Sequence, residues 1–275
     1  MQILGIDTGG TFTDFVLFDG KMFHTHKVLS TSAAPEQAIL KGLDNMGLAL
    51  AADLKIIHGS TVATNALLEG KGAKTVYITN RGFKDVLSIG RQARKQLYAL
   101  LPDISPYPVP PDHCLETGGR INADAQVLEG LSEADLIHLN AQLSELDPEA
   151  VAINLLFSYL DATFEEQIAA ALPESFFVSI SSRVAPVHRE YERGITTWLN
   201  AYVGPLMQGY LKRLQNDLGK TQLSIMRSSG NTCDVDQAAR DAVHLLLSGP
   251  AAGLTAAHYL QQQTGSDGFL TFDMG

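Results

Sequence analysis

The N-terminal segment of the chain holds its most constraining feature, a pair of glycines set between two short apolar segments. Residues 3–7 and 12–18 are mostly apolar, which favours two β-strands. Gly9 and Gly10 lie in the connection between them and permit the backbone angles of a tight turn. An Asp-Gly pair then leads into a third segment at residues 21–28. The N-terminus is therefore predicted to form an antiparallel meander with a glycine-rich turn.

Beyond this meander, strands and helices are predicted to alternate. Short apolar segments bounded by turn residues predict strands at residues 56–58, 75–79, 151–157, 176–180, 223–226 and 268–272. Helical periodicity and capping residues predict helices at residues 35–46, 62–68, 132–143, 163–172, 189–200, 205–218, 235–247 and 250–263, and a helical turn at residues 83–89. Five prolines between residues 100 and 111 predict an extended surface connection. This alternation is typical of an α/β fold with a largely parallel sheet.

The composition limits the partners and the cellular setting of the protein. A net charge of -10 gives a surface that repels nucleic-acid phosphates and anionic lipids, so neither is expected as the main partner. The two cysteines, Cys114 and Cys233, cannot form a disulfide framework, which indicates a reducing compartment. The N-terminus lacks a basic leader, and no apolar run approaches the ~20 residues of a membrane helix. We therefore expect a cytoplasmic protein.

The segment DTGGTFTD, which begins at Asp7, has the chemistry of a phosphate cradle. The backbone N–H groups of Gly9 and Gly10 can approach an anion closely because neither residue has a side chain. The hydroxyls of Thr11 and Thr13 add donors at alternate positions, and so on one face of the second strand. Asp7 is suited to hold Mg²⁺ through water, since that ion prefers carboxylate and water oxygens. The alternative is a glycine-rich turn that binds nothing.

A second polar cluster follows the predicted strand at residues 56–58, where the chain enters a helix. Thr61, Thr64 and Asn65 would gather their donors at this helix N-terminus, where they are suited to a carboxylate, carbonyl or phosphate. The alternative is that these side chains only cap the helix and fill turns. His58 stands beside the cluster, either as a base or as a hydrogen-bonded structural residue.

Two further candidates lie elsewhere in the chain. Arg91 follows a glycine near a turn, and a guanidinium there is suited to clamp a carboxylate or phosphate. The alternative is an arginine on the surface with a solvated head. The segment SGPAAG contains Gly249 and Gly253 at the start of a helix, where small residues permit close approach of a nucleotide. The alternative there is a tightly packed helix start.

Several motifs together resemble one protein family. They are DTGGTFTD at residues 7–14, HGSTVATNALLEGKGA at 58–73, RGFKDVLSIGRQ at 81–92, ERGITT at 192–197, NAYVGP at 200–205 and SGPAAG at 248–253. In this combination the chain resembles the N-terminal part of the hydantoinase/oxoprolinase family. The resemblance implies the actin-like ATPase (ribonuclease H-like) fold, with a mixed sheet, an N-terminal β-hairpin phosphate loop and flanking helices. It also implies one domain at residues 1–183 and the start of a second at 184–275.

The same resemblance implies an enzyme that uses ATP and Mg²⁺ to open a cyclic amide such as hydantoin or 5-oxoproline. The residues expected to contact the nucleotide are Gly9, Gly10, Thr11, Thr13, Gly249, Gly253 and Asp273. The residues expected to contact the substrate are Ser60, Thr64, Asn65 and Arg91. The residues expected to take part in catalysis are His58, Thr61 and Asp7, which would also organise Mg²⁺.

Residues 273–275 resemble the opening of the family's second phosphate loop. We therefore expect the second half of the fold to be incomplete and the chain to turn over little ATP alone. The intact parent is expected to act on a small lactam and to assemble as a homo-oligomer or with a partner subunit. Two alternatives stay open: a subunit of an ATP-dependent carboxylase of the acetone carboxylase type, and a non-catalytic binding or assembly module.

Overall fold

The computed structural model describes residues 2–31, 33–91, 98, 100 and 108–271. The chain forms two compact units. The first unit combines Met1–Gly72 with Leu206–Gly275, and the second unit is the continuous segment Ala73–Pro205. The sequence analysis predicted two family domains, at residues 1–183 and 184–275. That division is a different one from the two compact units, and it stays a prediction.

The secondary structure of the described residues alternates between strands and helices. The strands are β1 (Gln2–Thr8), β2 (Phe12–Phe18), β3 (Phe23–Leu29), β4 (Leu54–Ser60), β5 (Thr75–Asn80), β6 (Cys114–Thr117), β7 (Arg120–Ile121), β8 (Val127–Glu129), β9 (Ala150–Ile153), β10 (Phe177–Ile180), β11 (Gln222–Met226) and β12 (Thr232–Cys233). The α-helices are α1 (Pro35–Asn45), α2 (Val62–Leu68), α3 (Val86–Ile89), α4 (Glu133–Leu146), α5 (Thr163–Ala171), α6 (Ser181–Val184), α7 (Glu190–Leu218), α8 (Val235–Arg240) and α9 (Ser248–Thr264). None of these helices is long and apolar enough to cross a membrane.

The first unit is built on a six-stranded mixed sheet with the strand order β12-β11-β4-β1-β2-β3. Strands β1, β2 and β3 form the predicted antiparallel meander, whereas β1, β4 and β11 run parallel. Alternate residues of these strands, including Leu4, Ile6 and Ile56, are buried on one face. Helix α1 packs so closely on this sheet that a Cβ at Gly42 would lie 2.1 Å from the Phe15 ring. The parallel pairing brings the ends of β1 and β4 together, beside the turn that follows β1.

The second unit contains a four-stranded parallel sheet with the order β10-β9-β5-β6, and a separate β7–β8 hairpin. All residues of β5 and β9 are buried, as expected for parallel strands covered on both faces. Helix α4 begins at a capping box: the Ser132 hydroxyl accepts from the Asp135 N–H, and the Asp135 carboxylate accepts from the Ser132 N–H. This cap was predicted and contributes about 1 kcal/mol to helix stability.

The predicted break between two helices at residues 200 and 205 is wrong, because α7 continues through Pro205. A residue before proline normally leaves the helical region because its N–H and its Cβ clash with the proline ring. Gly204 has no Cβ, so that part of the clash is absent. The same glycine lies against Phe177, where a Cβ would fall 2.3 Å from the ring. Pro205 therefore removes a hydrogen bond from α7 without interrupting it.

Other predicted elements are shorter than expected. The strand predicted at residues 151–157 ends at Ile153, because the next apolar residues fill the core from a turn, with Phe157 at a positive φ of 59°. The helix predicted at 235–247 ends at Arg240 and gives way to a 3-10 helix at Ala242–Leu245. In short segments, the periodicity of apolar residues does not distinguish a strand from a buried turn, or an α-helix from a 3-10 helix.

The last predicted strand is not formed over residues 268–271, where the described side chains are exposed. Phe272, the final residue of that prediction, lies outside the described residues. The proline-rich connection predicted at residues 100–111 also lies largely outside them, since the structure describes only residues 100 and 108–111 of it.

Candidate functional site

The turn between β1 and β2 is supported at its base by three hydrogen bonds. The Gly9 N–H donates to the Phe12 carbonyl at 3.0 Å. The Gly9 carbonyl accepts from the Ser30 hydroxyl at 2.8 Å. The Thr11 carbonyl accepts from the Ser30 N–H at 2.9 Å. Ser30 therefore fixes the turn at two points, although it comes from the far end of β3.

The tip of this turn presents two unused backbone donors. Within the described part of the chain, the N–H groups of Gly10 and Thr11 have no hydrogen-bond partner. Both residues are exposed. A Cβ at Gly10 would lie 3.7 Å from the amide nitrogen of Asn65, so that side chain stands next to the tip. Two adjacent N–H groups of this kind can donate to one anion.

Thr13 lies beneath the turn. Its side chain is fully buried, and its hydroxyl is 2.9 Å from that of Ser30. It faces Thr8 across the β1–β2 pair, whereas Thr11 precedes β2 and is exposed. The two predicted threonine donors therefore do not share an exposed face, because α1 covers the face of β2 to which Thr13 belongs. In this position Thr13 supports the turn through Ser30.

Asp7 is exposed at the end of β1, on the face of the sheet opposite to Thr8. A Cβ at Gly59 would lie 3.5 Å from its Oδ1, so the neighbouring strand leaves room beside the carboxylate. Asp14, which faces Asp7 across the hairpin, pairs with Lys27 at 3.0 Å. Among the described residues no group of three or more His, Cys, Asp or Glu side chains could hold a metal. One exposed carboxylate beside the turn fits Mg²⁺ that takes its other ligands from water and phosphate.

The connection from β4 to α2 meets the hairpin at the Thr8 carbonyl. Thr61 donates to this oxygen with its N–H at 3.0 Å and with its hydroxyl at 3.1 Å. The Asn65 amide donates to the Thr61 hydroxyl at 3.3 Å. The Ser60 hydroxyl is buried and accepts from the Val62 N–H at 3.1 Å. The structure therefore brings the second predicted cluster next to the turn, with Ser60 below its surface.

His58 is buried in β4, and its Nε2 lies 2.7 Å from the Tyr210 hydroxyl in α7. Burial lowers the pKa of His58 from 6.5 to about 4, against a smaller opposing effect of the Ile6 backbone. Burial also raises the pKa of Tyr210. Both side chains are neutral near pH 7 as a consequence. His58 is therefore connected to the surroundings of the turn through Tyr210.

A cavity of about 260 Å³ opens beside the turn, within the first unit. Its lining residues are Thr8, Gly9, Gly10, Ser30, Thr31, Ala33, Pro35, Thr61, Val62, Asn65, Ala66, Glu69, Lys71, Leu206, Tyr210 and Arg213. Four of the predicted site residues are among them, two from the turn and two from the β4–α2 connection.

Several charged or polar residues of this lining were not singled out from the sequence, among them Lys71, Tyr210 and Arg213. Lys71 belongs to a recognised motif, but nothing in the motif marks its side chain as part of a cavity. Tyr210 and Arg213 lie on α7, far along the chain from the turn. No local signal connects them to it, since the packing of α7 on the sheet brings them there.

The start of α9 is anchored to the β4–α2 connection. The Thr64 hydroxyl accepts from the Leu247 N–H at 3.3 Å. The Ser248 hydroxyl donates to the Ser60 carbonyl at 3.4 Å. Thr64 therefore links the second predicted cluster, to which it belongs, to the residue that precedes the SGPAAG segment.

The remaining predicted site residues do not line the cavity. Gly249 and Gly253 lie within α9, and a Cβ at Gly253 would meet no atom within 4 Å. Arg91 belongs to the second unit, where its Nε donates to Glu192 at 2.8 Å. Asp273 lies outside the described residues.

Two solved structures match nearly the whole chain. An ATP-dependent caprolactamase from Pseudomonas jessenii matches with a TM-score of 0.84 and 33% identity, over 99% of this chain and 42% of that one. A nucleotide-free acetone carboxylase matches with a TM-score of 0.85 and 25% identity, over 96% of this chain and 41% of that one. The mixed sheet, the N-terminal hairpin and these likenesses define the chain as a protein with the actin-like ATPase fold, which confirms the fold predicted from its sequence.

The chain belongs to the hydantoinase/oxoprolinase family. The model of the hydantoinase/oxoprolinase N-terminal region matches residues 3–176, and the hydantoinase/oxoprolinase model matches residues 193–275. The caprolactamase subunit alpha of Pseudomonas jessenii is 34% identical over 99% of this chain and 42% of its own length. A 5-oxoprolinase of Dictyostelium discoideum is 29% identical over 90% of this chain and 23% of its own length. The chain therefore spans less than half the length of these relatives.

Proposed function

We propose that this chain supplies the first phosphate loop of an enzyme that uses ATP to open a cyclic amide. The observation that carries the proposal is the pair of N–H groups at Gly10 and Thr11, which have no partner among the described residues and are exposed beside a cavity with hydroxyl, amide and cationic side chains. Donors oriented in advance in this way stabilise the charge of a phosphoryl group during transfer. The names of two relatives, a caprolactamase and a 5-oxoprolinase, support a lactam as the substrate.

Within this proposal, the residues of the hairpin have distinct roles. Gly9, Gly10 and Thr11 surround the terminal phosphates of ATP with main-chain groups. Thr13 keeps the turn in shape from below. Asp7 holds Mg²⁺ through water on the other face of the sheet. When bound, that ion draws negative charge away from the transferring phosphate.

The substrate is placed in the cavity beside the turn. The Asn65 amide donates to its carbonyl oxygen, Thr61 orients that amide by accepting its other hydrogen, and Ser60 shapes the connection from beneath. His58 acts through Tyr210, which it orients by the hydrogen bond between them. A neutral pair of this kind can hold a proton near the reacting amide without placing a charge there.

The remaining site residues are proposed on the family resemblance. Gly249 and Gly253 approach the adenosine, and Thr64 connects their helix to the substrate loop. Arg91 contacts the substrate and Asp273 belongs to the second phosphate loop.

The proposed reaction proceeds by activation of a poor electrophile. The terminal phosphoryl group of ATP is transferred to the amide oxygen, and the bond between this group and ADP breaks. The amide carbon of the ring thereby becomes electrophilic. One water adds to that carbon, and the C–N bond breaks as the nitrogen takes a proton. A second water then releases phosphate from the resulting acyl phosphate and leaves a carboxylate.

A second candidate function is that of a subunit of an ATP-dependent carboxylase. The likeness to acetone carboxylase, at a TM-score of 0.85, favours it. The same phosphate loop would then act on a ketone and bicarbonate. Phosphate release by the full-length protein decides between the two: stimulation by lactams supports the first candidate, and stimulation only by acetone with bicarbonate supports the second.

The proposed metal site is tested by calorimetry of Mg·ATP binding. The substitution Asp7→Asn is expected to weaken binding about tenfold or more, since charge-assisted hydrogen bonds to the ion's waters are lost. Asp44→Asn, on the exposed side of α1, removes the same charge and should leave binding unchanged. Equal affinity of both variants and the unmodified chain for Mg·ATP would show that Asp7 does not take part in the metal site. A chain that binds no Mg·ATP at all would instead agree with a non-catalytic assembly module.

A further inference from the structure

The peptide group between Gly9 and Gly10 is held, within the described residues, by one hydrogen bond. Its carbonyl, that of Gly9, accepts from the Ser30 hydroxyl at 2.8 Å, whereas its N–H, that of Gly10, has no partner there. The C=O and N–H of a trans peptide group lie in one rigid plane and point in opposite directions. We infer that Ser30 is a positioning residue, whose hydroxyl holds the Gly9 carbonyl on one side and so directs the Gly10 N–H outward on the other. The inference rests on the proposed function, which assigns this N–H to the terminal phosphates of ATP.

Steric clashes do little to stop this peptide group from turning over. Such a turn changes the ψ of Gly9 and the φ of Gly10, and neither residue has a Cβ. Gly10 lies outside the positive-φ region in this structure, and the turn would carry it into that region, which glycine enters readily. The turned form would present the partly negative Gly9 oxygen where the N–H now stands. It would therefore repel a phosphate, which the present form can bind.

The peptide groups on either side are fixed without the Ser30 hydroxyl. The Gly9 N–H donates to the Phe12 carbonyl at 3.0 Å, and the Ser30 N–H donates to the Thr11 carbonyl at 2.9 Å. Both bonds join main-chain groups, so they remain when the Ser30 side chain is replaced. Loss of the hydroxyl should therefore release one peptide group and leave the rest of the turn in place.

Thr13 orients the Ser30 hydroxyl from beneath the turn. The two hydroxyl oxygens are 2.9 Å apart, and the Thr13 side chain is fully buried. A serine hydroxyl has one hydrogen, which Ser30 donates to the Gly9 carbonyl, so Thr13 is the donor in its bond to Ser30. Two hydrogen bonds in series of this kind strengthen each other. They lead from a buried residue of β2 to the peptide group that presents the Gly10 N–H.

The direction of the Gly10 N–H is measured by its residual dipolar coupling in the ligand-free protein. We expect Ser30→Ala to change this coupling, while the couplings of β1 and β2 keep their values and show that the sheet is intact. Ser30→Thr keeps the hydroxyl at a position that lines the cavity, and it should keep the coupling. Ser144→Ala is the matched control, because the Ser144 hydroxyl also donates to a backbone carbonyl, that of Asn140 at 2.8 Å, on the distant helix α4. An unchanged coupling in Ser30→Ala, or an equal change in Ser30→Thr, overturns the inference.

A second substitution tests whether the change is a turn of this peptide group. Alanine avoids positive φ, so adding Gly10→Ala to Ser30→Ala should exclude the turned form and restore the coupling at position 10. The substitution fits, because the nearest atom to a Cβ at Gly10 is the Asn65 amide nitrogen at 3.7 Å, an ordinary contact. A double variant whose coupling stays as far from the original value as in Ser30→Ala would contradict the inference.

The affinity for Mg·ATP, measured by calorimetry on the same samples, separates this inference from the proposed function. Ser30→Ala should bind about two- to fivefold more weakly, since only molecules with the N–H outward bind, and one hydrogen bond changes their fraction by at most about fivefold. A changed coupling with unchanged affinity would support the inference and remove the Gly10 N–H from the phosphate site. Weaker binding with an unchanged coupling would overturn the inference, while the proposed function stands. If the unmodified protein binds no Mg·ATP, the proposed function fails, and the couplings still decide what Ser30 does.

Discussion

His58 is a titratable side chain held neutral inside the first unit, and this has a consequence for stability. Its pKa is lowered to about 4 in the folded protein by burial, from an ordinary value of 6.5. Between these two values the unfolded chain binds the proton and the folded chain does not. Stability is therefore complete above about pH 6.5 and falls as the pH decreases toward 4.

We expect the free energy of unfolding to fall by about 2 kcal/mol between about pH 7 and pH 5, measured by urea denaturation. His58→Gln, which keeps a partner for the Tyr210 hydroxyl but cannot titrate, should largely remove this dependence. His138→Gln, an exposed histidine on α4, should retain it. An identical pH dependence in the unmodified chain and in His58→Gln would show that another group is responsible.

At the level of single residues, the sequence analysis identified those residues near the candidate cavity that are contiguous in the chain. The hairpin turn, Thr61 and Asn65 were identified because each belongs to a continuous motif. The burial of Thr13 was missed because the alternation of β2 does not say which face α1 covers. Arg213 was missed because its place depends on the packing of α7 rather than on its neighbours in the chain.

The packing of helix α7 depends on the absence of a side chain at position 204. At Gly204 a Cβ would fall 2.3 Å from the Phe177 ring, which is too close for any real contact. At Gly209, on the same helix, the nearest atom is Nη1 of Arg213 at 3.4 Å, the far end of a flexible side chain. Position 204 therefore needs glycine for packing, and position 209 does not.

The two positions make a matched pair for urea denaturation. Gly204→Ala should destabilise the protein by about 1–3 kcal/mol, because the ring or the helix must move to admit the methyl group. Gly209→Ala should be neutral or stabilise by up to about 1 kcal/mol, since alanine is the better helix former. Equal stability of the two variants would mean that α7 does not lie against Phe177.

At the level of secondary-structure elements, turn and capping residues predicted the bounds correctly where the tertiary packing favoured the same bounds. Strand β2 and helix α2 have the bounds that the sequence predicted, because turns and polar residues mark both ends. The rule that proline ends a helix failed at Pro205, where the preceding glycine and the packing on Phe177 outweigh it. The strand predicted at residues 151–157 was too long because a buried turn is as apolar as a buried strand.

At the scale of the whole molecule, the two units differ in how the chain builds them. The second unit, Ala73–Pro205, is one continuous segment with its own parallel sheet. Its core includes Val76, Leu139 and Val151. The first unit needs both ends of the chain, since β4 pairs with β11 as well as with β1. A continuous segment with a complete core contains what is needed to fold by itself.

We therefore expect residues 73–205, expressed alone, to unfold in one cooperative transition by circular dichroism, although the segment ends inside α7. Residues 1–72 alone should show no such transition, because without β11 one edge of β4 exposes unpaired backbone groups next to apolar residues. Joining residues 1–72 to residues 206–275 through a flexible linker should restore it. A non-cooperative transition in residues 73–205 would mean that the core of the second unit depends on the first, because its own sheet and helices would then bury too little apolar surface to offset the entropy of folding.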